Sequence, residues 1–115
     1  MDGSETVKWQ IELKRGIIEM CILALLSRKE MYGYEISKAL DKLSEGILSI
    51  EEGTLYPLLR RLERRGYIKG EWKIVGEKAR KYYAITPRGL SVLVRMRNFW
   101  RKMVESVNLI LGEEI

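Results

Sequence analysis

The chain has 115 residues, 46% hydrophobic and 32% charged, with a formal net charge of +5 and no histidine. That length holds one compact domain plus a tail element, and the composition excludes a disordered polyelectrolyte. Without imidazole there is no His-based metal cluster and no Ser-His-Asp or Cys-His nucleophile, so neither a cofactor nor an enzymatic activity is expected.

The first predicted helix covers about Trp9 to Ser27. Ile17, Ile18, Cys21, Ile22, Leu25 and Leu26 recur at three- and four-residue spacing, a stripe wide enough for a largely buried helix. Cys21, the only cysteine, reads as a small buried hydrophobe. A lone thiol fits a reducing interior, no run approaches the ~18 apolar residues of a membrane span, and the acidic first stretch does not look like a secretory signal. A cytoplasmic protein is expected.

A second helix is predicted from Tyr32 to about Leu43, with Ile36, Ala39, Leu40 and Leu43 on one face. The third lies within Glu51 to Arg65 and is ended by Gly66. Leu55, Leu58, Leu59 and Leu62 form its apolar stripe, and the opposite face holds Gly53, Pro57, Arg60 and Arg64, flanked by Thr54, Tyr56 and Arg61. Pro57 argues for a start at Glu52 or Gly53, or for a bend at the proline, because an interior proline costs roughly 3 kcal/mol. Alternation through Ile68, Gly70, Trp72 and Ile74, a turn over Val75 to Ala79, and a return strand from Arg80 to Ile85 describe a hairpin. Thr86 and Pro87 then have the chemistry of an N-cap and first helical position, opening a helix that runs to about Leu111. This order predicts a mainly α fold with a small β-hairpin: a winged helix-turn-helix domain over residues 9–85 and a C-terminal dimerisation helix over residues 86–112.

The second short helix of such a pair is the one that meets base edges. Gly53 and Thr54 supply a narrow end, while Tyr56, Arg60 and Arg61 supply donors and positive charge for guanine or phosphate. A run such as RRLERR is also what a solvated helix face looks like. Lys78, Arg80 and Lys81 on the hairpin tilt the balance, because a basic wing and a basic helix in one chain suit double-stranded DNA.

The segments MYGYEISKAL, GTLYPLLRRLERRGYI and RKYYAITPRG, in that order and spacing, resemble the PadR family of winged helix-turn-helix transcriptional regulators, from about Ile17 to Leu93. The resemblance implies a homodimeric repressor whose third helix enters the major groove of an inverted-repeat operator. By motif match it implies DNA contacts at Tyr32, Tyr34, Thr54, Tyr56, Arg60, Arg80 and Lys81. The turn reads GEKARKYY, with Glu77 and Ala79 where the family's wing is often more basic. Tyr83, sharing a strand face with Ile85, is expected inside.

Leu93, Met96, Trp100, Met103, Val107 and Ile110 follow a 3-4-3-4-3 spacing, a heptad seam that a second copy of the chain should cover. The resemblance, to the branch with a short C-terminal helix, adds the first helix to that interface. In some multidrug-responsive relatives a tryptophan at the position of Trp100 lines a pore at the dimer centre. Trp100, with Met96 and Phe99, is accordingly read either as a site for a small planar hydrophobic effector or as dimer-core filling. The competing functional reading is a winged helix that contacts protein in a transcription or assembly complex, since fold does not fix function.

Overall fold

The computed structural model describes residues 3–113. Its elements are α1 (Gly3–Leu26), β1 (Met31–Tyr32), α2 (Gly33–Leu43), α3 (Glu52–Arg64), β2 (Ile68–Val75), β3 (Lys78–Ile85) and α4 (Pro87–Leu111). The two strands of the hairpin and β1 form one antiparallel sheet in the order β1-β3-β2. Among the described residues no helix is long and apolar enough to cross a membrane.

The core collects one face from every layer. Ile18, Ile22, Leu23, Leu25 and Leu26 of α1 meet Ile36 and Leu40 of α2, Leu55, Leu59 and Leu62 of α3, Ile68 and Tyr83 of the sheet, and Leu93 of α4. These positions follow helical periodicity, and removing one such side chain to alanine typically costs about 2–5 kcal/mol. Leu43, at the end of the α2 stripe, is exposed instead. Cys21 is half-buried, and that burial pushes its thiol above the ordinary range.

Boundaries differ from the sequence expectation in three places, one of them the turn of the wing, where β3 already starts at Lys78. The first helix begins at Gly3 rather than Trp9, and its leading turns expose Val7, Trp9, Ile11 and Leu13. The segment before α2 is a two-residue strand, with Met31 opposite Tyr83 and Tyr32 opposite Tyr82. The helix that follows is closed at its start by the Glu35 carboxylate, which accepts from the Tyr32 N–H at 3.2 Å.

α3 starts at Glu52 and continues through Pro57. The proline removes the donor for the Gly53 carbonyl, but Gly53 is exposed, so water can take that bond. The wing turns on only two residues, Gly76 and Glu77, because Val75 pairs with Lys78. Gly76 has φ +66°, the sign that two-residue hairpin turns of the mirror-image types require.

α4 is clamped to the root of the wing. The Thr86 hydroxyl accepts from the Gly89 N–H at 3.0 Å and donates to the Gly66 carbonyl at 2.6 Å, while the Thr86 N–H bonds the Tyr67 carbonyl at 3.0 Å. Gly89 passes so close to that carbonyl that a Cβ there would overlap it. At the far end Gly112, at φ +78°, terminates the helix in the left-handed conformation.

Candidate nucleic-acid interface

The N-terminal half of α3 and the wing face each other across a groove of about 660 Å³. Gly53, Tyr56 and Arg60 form its helix side, Trp72, Ala79, Arg80 and Lys81 its wing side, and Tyr32, Gly33 and Tyr83 the root between them. Among the described residues no carboxylate lines it. Gly33 lets Tyr56 pack close: a Cβ at that position would lie 3.0 Å from the Tyr56 hydroxyl, so the ring would have to give by a few tenths of an ångström.

Tyrosines and cations are interlocked at the root. The Arg80 guanidinium lies 4.5 Å from the centre of the Tyr32 ring and donates to its hydroxyl at 2.9 Å. Tyr32 also stacks near Tyr34, at 6.3 Å, and meets Tyr82 edge-on at 5.3 Å. Tyr56 donates weakly to Glu52 at 3.4 Å. Burial first, and the Glu52 carboxylate second, hold its phenol above the ordinary tyrosine range.

Lys81 is held rather than loose. Its ammonium pairs with Glu63 of α3 at 3.1 Å, and the other Glu63 oxygen accepts from the Gly70 N–H at 3.1 Å. Glu63 thereby ties both wing strands to α3 and sets the width of the groove. Arg60 makes no ion pair among the described residues, and Lys78 stands exposed beside the turn. Lys73, on the outer face, is paired with Glu30, which raises its pKa.

Six of the residues expected at DNA share this groove: Tyr32, Gly53, Tyr56, Arg60, Arg80 and Lys81. Tyr34 lies beside it, exposed, with Lys38 over its ring at 5.7 Å. Thr54 and Arg61 do not belong to it; they line a cleft on the other flank of α3 with Lys14, Arg15 and Pro57. The Arg61 guanidinium pairs with the buried carboxylate of Glu19 on α1, with Arg65 3.9 Å from the same group, while its side chain stays 42% exposed. Sequence reasoning missed Trp72, Gly33 and Ala79 as groove residues. The alternation of β2 signalled which face Trp72 takes, but not that the core would end before reaching it.

The seam on α4 also needs correction. Leu93 is 4% exposed and packs inside its own chain, so it is not available to a partner. Met96, Phe99, Trp100 and Met103 instead line an apolar pocket of about 310 Å³ with Leu13, Gly16, Ile17 and Met20 of α1. Farther along, Val107, Leu109, Ile110 and Leu111 are exposed.

A helix pair, a two-stranded wing facing the second of those helices and an added C-terminal helix define a winged helix-turn-helix transcriptional regulator. Residues 22–95 match the profile of the Transcriptional regulator PadR-like family, and the chain belongs to that family. Transcriptional regulator Rv3488 of Mycobacterium tuberculosis is 30% identical over 96 residues, spanning 84% of this chain and 87% of the relative. Among solved structures, a PadR family transcriptional regulator from Eggerthella lenta is 37% identical with a TM-score of 0.84, covering 96% of each chain. A PadR-like regulator from Bacillus cereus is 38% identical with a TM-score of 0.78, covering 90% of this chain and 99% of the other.

Proposed function

We propose that this regulator acts as a twofold homodimer on an inverted-repeat operator in double-stranded DNA and represses transcription. In this reading α3 enters the major groove through Gly53, Tyr56 and Arg60, and the wing, with Lys78, Arg80 and Lys81, engages the flanking backbone. The observation that carries it is the groove itself: a channel between helix and wing whose lining presents cations and tyrosine hydroxyls. The exposed apolar residues of α1 and of distal α4 support the dimer, because a second copy would cover Trp9, Leu13, Val107 and Ile110 together. The apolar pocket around Trp100 supports release from DNA by a planar hydrophobic effector.

The test is an electrophoretic shift on DNA flanking the gene, with footprinting. Two protected half-sites one helical turn apart, about 34 Å, are expected. Arg60→Ala is expected to weaken binding and flatten its salt dependence. A parent protein that shows no salt-sensitive shift would end the reading.

A further inference from the structure

Trp72 and Ile74 are 69% and 80% exposed, and they lie on the inward face of the wing rather than its outer one. The register settles this. Trp72 is opposite Lys81 and Ile74 opposite Ala79, while nearer the root, on the same face, Ile68 is opposite Ile85 and Gly70 opposite Tyr83. At the root that face is packed into the core, where Ile68 and Tyr83 are buried. Past the Gly70–Tyr83 pair the core ends, and the same face becomes the wall of the groove, with Trp72 and Ala79 opposite Tyr56 and Arg60.

What can lie there follows from the geometry of a duplex. With α3 in a major groove and the wing on the flanking backbone, the element that borders that groove must pass between them. That element is one sugar–phosphate strand, not a base edge. Its surface alternates anionic oxygens with apolar deoxyribose C–H groups, and the lining of the groove offers partners for both: Arg60 and Lys81 as cations, Tyr56 as a hydroxyl, Trp72 as an apolar ring. We infer that the groove seats a single sugar–phosphate strand and that Trp72 packs its ring on the deoxyribose face of that strand. This rests on the DNA-binding reading and adds to it a binding residue that carries no charge and reads no sequence.

Titration of a random-sequence duplex with the full chain at several salt concentrations, watching fluorescence anisotropy of the labelled DNA, separates the possibilities. Trp72→Ala is expected to weaken binding about tenfold, from the apolar area it no longer covers, with the slope of log affinity against log salt unchanged. Trp72→Phe, which keeps an aromatic face, is expected to recover most of the loss. Arg60→Ala, run in parallel, is expected to lower that slope by about one phosphate. An unaltered affinity for Trp72→Ala beside a weakened Arg60→Ala overturns the inference and leaves the DNA-binding reading standing. A changed salt slope for Trp72→Ala, or a loss confined to one base sequence, also overturns it, since either assigns Trp72 another contact. Absence of salt-sensitive binding by the parent removes both readings together.

Discussion

Replacing Glu63 tests how the groove is held open. Its carboxylate makes two contacts: an ion pair to Lys81 in β3, with both side chains about 30% exposed, at 30% and 31%, and a bond from the Gly70 N–H in β2. A partly exposed pair of this kind contributes roughly 0.5–1 kcal/mol, because solvent screens it. A backbone N–H donating to a charged acceptor contributes about 1–2 kcal/mol where water is partly excluded. Glu63→Ala loses both, about 2 kcal/mol in all, and should lower the urea midpoint by about 1–2 M. Glu63→Gln keeps a neutral acceptor for Gly70 and should lose about half as much. The measurement is urea unfolding followed by circular dichroism, with protein concentration fixed, because association shifts apparent stability. Equal losses in the two variants would mean that the Gly70 bond contributes nothing. An unaltered midpoint in Glu63→Ala would refute the reasoning that Glu63 fastens the wing to α3.

Gly89→Ala should be the most damaging small substitution in the chain, since the new methyl meets the Tyr67 backbone and Ile85. A loss of about 3 kcal/mol is expected, at the upper end for overpacking, and thermal melting reads it. Arg61→Ala leaves the Glu19 carboxylate buried beside only the more distant Arg65, and about 2–3 kcal/mol of stability should go with it. The double variant with Glu19→Gln should recover part of that, while the salt slope of DNA binding stays that of the parent. Ile110→Asp changes a residue that is 85% exposed, so the single chain should fold normally. Sedimentation velocity should nevertheless show a shift from dimer to monomer, and a species distribution identical to the parent's would remove Ile110 from the interface.

The parts of the fold legible in the sequence are those written in local chemistry. Thr86 and Pro87 announce the start of α4 through capping alone, and Gly66 ends α3 because a helix terminus favours a glycine. The leucine stripe of α3 is local too, so its outward face could be read with Arg60 on it. Several of the failures are pairings between distant residues. β1 is two residues long and exists only because Met31 and Tyr32 find Tyr83 and Tyr82, some fifty positions away, which no periodicity reports. Arg61 looks like Arg60 in the sequence, and only the approach of Glu19 from α1 gives it an ion pair. Leu93 fits a heptad as well as Met103 does, but the core reaches nearly two turns up α4 and takes it. Trp72 is a further case: the alternation puts it on one strand face with Ile68, but does not report how far along that face the core extends.

The clamp at Thr86 has a mechanical consequence. One residue separates the last position of the wing from the first position of α4, and that residue is bonded on both sides, to Gly66 and Tyr67 and to Gly89. The joint has no slack. α4 is therefore a rigid arm of 25 residues, about 37 Å long, whose fulcrum is the root of the wing. Tilting such an arm by a few degrees swings its far end by a few ångströms; conversely, whatever grips the far end aims the wing. Two chains joined through their arms would thus hold their wings like the points of a pair of calipers, with the gap between the points set by the grip.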